Sequence, residues 1–254
     1  MSRALFPRSA AGLDAARDAG CRIALWWRDD DARAPGAALD RLLDLRRAAA
    51  VPLALAAIPQ GSGPALAEAV AGEAGIAVLQ HGFSHANHAP AGEKRAEFGD
   101  HRPRAAMRQE VAAGRDVLAA LFPGRFLPVF VPPWNRIGAG FRTVLPGLGL
   151  PVLSVFGAAD AGATPRLVNT HLDIIDWRAG QALTAEDADA RLAREIALRI
   201  AAGPGCEPIG LLSHHLQHDE AAWTLLAALL DLLAPEPPVI AWPALPSLLA
   251  PPPR

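Results

Sequence analysis

The sequence predicts a single α/β domain, a parallel β-sheet covered by helices. Three observations carry that expectation. Short apolar runs alternate with helical patterns, polar clusters follow the runs, and the composition suits one large core. The chain has 254 residues, 51% hydrophobic and 20% charged, a compact globular composition at a length ordinary for one α/β barrel.

Residues 23–27, 53–58, 76–79, 126–131, 151–155, 167–168, 209–212 and 239–242 are apolar runs bounded by polar or Gly/Pro residues, and they read as buried strands. Helical periodicity fills several of the intervals. Residues 38–49 carry Leu39, Leu42, Leu43 and Leu45, and residues 104–122 carry Met107, Val111, Leu118 and Leu121. The helix at 184–201 opens with the capping-box pattern of Thr184 and Asp187 and stacks Leu192, Ile196 and Ile200 on one face. The helix at 220–233 puts Trp223, Leu226, Leu230 and Leu233 on one stripe. Strands alternating with helices indicate a parallel sheet. No internal repeat is evident, and the one linker-like stretch is the Pro-rich tail. One domain over 1–254, with its core at about 22–250, is the economical reading. Residues 81–103 form the longest loop, and long loops in compact domains tend to be functional.

A net charge of −2 with a pI near 6.4 gives no electrostatic case for nucleic acid or an anionic membrane as partner. Cys21 and Cys206 form no C-x-x-C pair and suit a reducing compartment. The N-terminus has no continuous apolar stretch of signal-peptide length, and no window approaches a membrane span. The expected location is cytoplasmic.

The polar clusters carry the chemistry. RDDDA (Arg28 to Ala32), HGFSH (His81 to His85), VPPWNR (Val131 to Arg136), NTHLDIIDW (Asn169 to Trp177) and SHHLQHD (Ser213 to Asp219) each follow a predicted strand. They therefore sit at the carboxyl end of a parallel sheet, where α/β proteins build their sites. The stretch from Leu79 to His88 alone holds three of the 8 histidines. A solvated loop explains any one cluster but not five at the same end. Two imidazoles and one carboxylate on a divalent ion leave positions open for water and substrate, a catalytic arrangement. Such an ion lowers the pKa of bound water and polarises a carbonyl. A second carboxylate could take the proton, and a distant histidine could protonate a leaving group. These parts describe hydrolysis of an amide or ester.

Taken in order over residues 23 to 250, the clusters resemble the polysaccharide deacetylase (NodB homology, carbohydrate esterase 4) family. The family's Asp-Asp motif fits RDDDA in two registers. The preferred one has Asp30 as base and Asp31 as metal ligand; the rival is Asp29 and Asp30. His81 and His85 match the His-Ser/Thr-x-x-His motif, with Gly82 at the hydroxyl position. VPPWN stands for the Arg-x-Pro motif, with Val131 in place of the arginine that pairs with the base. DIIDW (Asp173 to Trp177) and Leu212-Ser213-His214 match the last two motifs, and VIAWPALPSLL resembles the family's closing strand and helix.

The resemblance implies a distorted (β/α) barrel of about seven strands, one fewer than the standard barrel, and a metal-dependent N-deacetylase. Asp31, His81 and His85 would hold a divalent ion, with zinc preferred. Asp30 would deprotonate water, and His214 would protonate the departing amine with Asp173 supporting its charged form. Backbone N–H groups after the Pro132–Pro133 turn would help hold the oxyanion. Pro133, Trp134, Asn135, Trp177 and His88 would contact substrate. Arg136 or Arg28 would replace the missing arginine, with Arg136 preferred. His215, next to His214 at a strand end, is expected to point away from the site. The expected substrate is an N-acetylated sugar or related amide, small-molecule or glycan. The alternatives are a hydrolase of small cyclic amides or ureides and a catalytically degenerate carbohydrate-binding relative.

Overall fold

The computed structural model describes residues 2–249; Met1 and the end of the Pro-rich tail, 250–254, lie outside the described residues. Helices α1 (Ser2–Leu5) and α2 (Pro7–Asp18) precede β1 (Ile23–Ala32). There follow α3 (Ala37–Ala49), β2 (Leu53–Ala57), α4 (Pro64–Ala71), β3 (Ile76–His81), α5 (Arg104–Leu121) and β4 (Phe126–Val131). A 3₁₀ turn at Pro133–Asn135, α6 (Ala139–Arg142) and a second such turn at Leu145–Leu148 lead to β5 (Val152–Leu153) and β6 (Arg166–Leu167). Next come β7 (Leu172–Asp173), the antiparallel pair β8 (Ile175–Asp176) and β9 (Gln181–Ala182), and α7 (Ala185–Ala202). The described chain closes with β10 (Ile209–Ser213), a 3₁₀ turn at His215–Gln217, α8 (Glu220–Leu232), β11 (Ile240–Ala241) and α9 (Leu245–Leu249).

These elements gather into two compact units. The first holds residues 2–29, Ala37–Leu53 and Thr170–Ala244. Its strands pair in parallel in the order β11, β1, β10, β7. The register sets Asp29 beside Ser213 and Leu212 beside Asp173, so polar residues from two motifs become neighbours. On this unit α2 packs against α7, where an added Cβ at Gly12 would lie 3.2 Å from Ile196. The first turn of α2 has no cap of its own. Instead the buried Asp189 of α7 accepts hydrogen bonds from the Arg8 and Ser9 N–H groups at 3.0 and 2.7 Å, satisfying donors that a helix start leaves open.

The second unit holds Asp30–Gly36, Ala54–Asn169 and residues 245–249, with strands in the order β2, β3, β4, β5, β6. His81 lies opposite Val131 in the β3–β4 register. Its core joins Phe98, Met107, Val111, Phe130, Phe141 and Leu153. Phe98 meets Phe130 edge-on with centroids 5.2 Å apart and stacks on Phe141 at 5.8 Å, geometries that aromatic pairs favour. Thus the long 81–103 loop contributes a fully buried aromatic, Phe98, to this core.

Several boundaries depart from expectation. β1 runs five residues past Trp27 to Ala32, because its charged residues are buried against partners rather than released to solvent. β5 and β6 are two residues each. Two helices that carry no strong apolar stripe, α2 and α4, start on a proline, which suits the first helical turn. Among the described residues no helix is long and apolar enough to cross a membrane.

Helix α5 packs on β3 through Gly114. An added Cβ there would come 2.8 Å from the Pro59 ring and 2.5 Å from the Gln80 amide nitrogen, which donates to Val111 O and Gly82 O at 3.0 Å each. Gly114→Ala gains about 1 kcal/mol of helix propensity but overpacks this contact at a cost of about 1–3 kcal/mol. A net loss of stability in urea unfolding is the expected result; a gain would show that the helix can move off the strand.

Candidate metal centre

Asp31, His81 and His85 converge at the ends of β1 and β3. Their ligand atoms lie within 4.8 Å of one another, and no other such trio occurs among the described residues. Asp31 Oδ1 is 3.1 Å from His81 Nε2 and 3.2 Å from His85 Nε2. Tetrahedral ligands about 2.0–2.1 Å from a zinc ion lie about 3.3 Å apart, so the trio has the spacing of a divalent site. The imidazole of His81 is oriented from behind, with Nδ1 3.0 Å from the Val131 carbonyl oxygen. A carbonyl only accepts, so Nδ1 carries a proton, and in the neutral ring the Nε2 lone pair beside the Asp31 carboxylate is the one available to a cation. The donor set therefore fits a divalent ion.

The backbone is left-handed at several of these positions. Asp31, His85, Trp134 and Asn135 have positive φ (75°, 61°, 56° and 55°), and only one other described non-glycine residue, Ala50, shares that conformation. Left-handed backbone at a non-glycine residue costs roughly 1–2 kcal/mol and gathers at functional sites. Buried Pro133 begins the turn that carries Trp134, whose ring lies 4.5 Å from that of His85. Asn135 is half-buried on the same turn.

Glu97 holds the loop between the two histidines. It is fully buried. Its Oε1 accepts from Ser84 N, Ser84 Oγ and His85 N at 2.7, 2.8 and 3.1 Å, and Oε2 accepts from Phe83 N at 3.2 Å. Hydrogen bonds to a charged acceptor contribute about 1.5–3 kcal/mol each. An added Cβ at Gly82 would fall 2.1 Å from Glu97 Oε2 and 2.7 Å from the Pro133 ring, and Gly82 has φ of +57°. No larger residue fits at that position.

In the first unit the second polar cluster forms around Asp29. Its Oδ2 accepts from Ser213 Oγ at 2.6 Å and His215 N at 3.1 Å, and Oδ1 lies 2.5 Å from His215 Nδ1. Trp27 Nε1 donates to Ser213 Oγ at 2.8 Å. Burial pushes the Asp29 carboxyl up, but the charge and hydrogen bond of His215 and the hydroxyl of Ser213 outweigh it and hold the group below its ordinary value. Both Asp29 oxygens are thus engaged by β10 and the turn after it, whereas Asp31 joins the histidines. His215 faces Asp29 in the interior. Its neighbour His214 is buried, with Nδ1 3.8 Å from Asp173 Oδ1. Trp177 is 55% exposed, packs edge-on to His214 at 4.7 Å, and donates from Nε1 to Asp173 Oδ2 at 2.7 Å. Trp177 is therefore a surface aromatic tied to Asp173 and not a core residue.

The remaining predicted residues lie as follows. Asp30 is buried, 2% exposed, in the second unit. His88 is exposed on the loop, where its N–H donates to Ala96 O. Arg136 is exposed and donates from Nη1 to Arg95 O at 3.0 Å. Arg28 is fully buried on β1. Sequence reasoning missed Glu97, whose one cue was its place beside Phe98 in an otherwise polar stretch. It also missed His218, whose Nε2 accepts from His214 N–H at 3.3 Å and whose ring packs edge-on to Trp223 at 4.4 Å.

Burial lowers the His218 pKa to about 4, with the charges of His214 and His215 adding to the fall and Asp29 opposing it. The folded protein thus resists a proton that the unfolded chain accepts near pH 6.5. Stability from this group is complete above about pH 6.5 and is lost as pH falls toward 4. His218→Gln should flatten the fall of the denaturation midpoint across that window; an identical pH slope would show that the histidine does not titrate there.

No protein-family model and no curated protein sequence matches the chain. Solved structures do resemble it. A family 4 carbohydrate esterase from Streptomyces lividans, in complex with acetate, is 18% identical over 84% of this chain and 89% of its own, with a TM-score of 0.55. A peptidoglycan N-acetylglucosamine deacetylase is 14% identical over 90% of this chain and 88% of its own, with a TM-score of 0.56. A family 4 acetyl xylan esterase from Clostridium thermocellum, in complex with a cobalt ion, is 16% identical over 82% and 80%, with a TM-score of 0.50. At this identity the likeness establishes architecture: the chain has the fold of the polysaccharide deacetylases, the fold that the order of its motifs predicted.

Proposed function

We propose that the protein is a metal-dependent hydrolase that removes an acetyl group from an N-acetylated sugar or a related amide. The observation that carries this reading is the Asp31, His81 and His85 trio with ligand spacing, next in sequence to a second buried carboxylate, Asp30. Neighbours in fold described as a carbohydrate esterase and an N-acetylglucosamine deacetylase support the same class. We take the chain as one functional domain.

A divalent ion held by the trio, zinc in this proposal, would polarise the acyl carbonyl and acidify water. Asp30 is the proposed general base, and His214 the general acid for the amine, held by Asp173. Trp134 forms an apolar wall beside His85 with Pro133, Asn135 offers a polar contact to substrate on the same turn, and Trp177 and His88 contact the glycan. Arg28 is the stronger candidate for the arginine that Val131 replaces. Alternation along β1 puts Arg28 and Asp30 on the same face, and a fully buried guanidinium requires an anion. Arg136 instead bonds a surface carbonyl. The cysteines Cys21 and Cys206 are both free, and we place the protein in the cytoplasm on that basis.

Metal analysis of purified protein and a screen for acetate release from N-acetylated sugars test the reading. His81→Ala and His85→Ala should lose the ion and keep the fold; full occupancy in both would rule the site out. Asp31→Asn should also lose the ion. Asp30→Asn should keep it and lose about 10²–10⁴-fold in turnover, the usual contribution of a general base. The reverse pattern would exchange their roles. Release of ammonia or a ring-opened product from cyclic amides, with no acetate from sugars, would replace the substrate class.

A further inference from the structure

We propose that Glu97 is the positioning residue of this metal centre, and that its carboxylate, not any residue between the histidines, fixes the turn that presents His85. The inference rests on the metal reading of His81 and His85. Four donors converge on this one buried side chain: three consecutive backbone N–H groups, Phe83, Ser84 and His85, and the Ser84 hydroxyl. The last of those N–H groups belongs to the ligand residue itself. Its φ of 61° is an uncommon conformation for a residue other than glycine.

The anchor is itself immobilised. Glu97 is followed by Phe98, which is fully buried between Phe130 and Phe141. Arg102 Nη1 donates to the Glu97 carbonyl oxygen at 3.0 Å while its guanidinium also pairs with Glu110 of α5 at 2.6 Å. The carboxylate is therefore referenced to the core and to α5, not to the loop it organises. Gly82 completes the device, since any Cβ there would displace Oε2. Outer partners that orient a ligand typically control metal affinity by about 10–100-fold. The same should hold for a carboxylate that grips a ligand's own backbone.

The test uses the full-length protein, with Co²⁺ as the probe. In metal-free wild type, the Ser84 and His85 amides should exchange slowly with deuterium. Glu97→Gln puts an amide NH₂ where N–H donors point, so exchange there should rise at least tenfold. Co²⁺ should bind about 10–100-fold more weakly, with a changed visible spectrum. Ser84→Ala removes one donor of the four and should weaken Co²⁺ binding by a smaller factor. A Glu97→Gln protein that is less stable overall yet binds Co²⁺ with wild-type affinity and spectrum would make the residue merely structural and overturn the proposal. If Glu97→Gln does not fold, Glu97→Asp, which keeps the charge and shortens the reach to the three N–H groups, decides, and unchanged Co²⁺ affinity and spectrum there overturn it. If wild type takes no Co²⁺, the hydrolase reading falls by itself. Amide exchange then decides for Glu97, and unaltered exchange in Glu97→Gln overturns the proposal.

Discussion

Four consecutive charged residues, Arg28 to Asp31, lie on a strand whose neighbours are buried, and three of them are themselves 2% exposed or less. A charge taken out of water must be paired or coordinated. Alternation would put Asp29 and Asp31 on one face, and the left-handed backbone at Asp31 separates them. Asp29 is met by the hydroxyl of Ser213 and the N–H and ring of His215. Asp31 is turned by its positive φ toward His81 and His85. The polar composition of β10's end and of β3's end follows from what β1 carries, and a strand that would otherwise end at Trp27 continues to Ala32.

The second feature is that His81 and His85 are both held through backbone groups, a carbonyl oxygen behind one and the N–H groups of a turn around the other. His81 is oriented by the Val131 carbonyl, an interaction indifferent to the side chain at 131 and fixed by the β3–β4 register. His85 is oriented by a turn whose N–H groups all point at one carboxylate. This arrangement bears on positions 82 and 131, where the chain departs from the motifs it resembles. Gly82 is required by the space that Glu97 occupies. Val131 retains the backbone contribution to His81 while leaving the base's cation to come from elsewhere, and the buried Arg28 on β1 is our proposal for it.

Trp177 and His88, one in each unit, are both exposed. Trp177 is tethered by its indole N–H to Asp173, which couples an exposed ring to the carboxylate proposed to support His214. An aromatic with a polar handle can form an apolar wall while staying in one orientation.

The sequence alone determined the α/β class, most of the parallel strands and main helices, and the residue types of the Asp31, His81 and His85 trio. These signals are local: apolar runs, helical spacing, and polar clusters directly after strands. It also contained both registers of RDDDA and both candidate arginines, without deciding between them. Tertiary structure decided what depended on distant partners. Asp29 was assigned to Ser213 and His215 because β1 and β10 pair in one register. Glu97, twelve residues beyond His85, became part of the centre because Phe98 is drawn into a core formed with β4 and α6. The physical reason is the same in each case: a buried polar group takes its role from whatever donor or charge the fold brings within hydrogen-bonding distance, and no spacing along the chain records that.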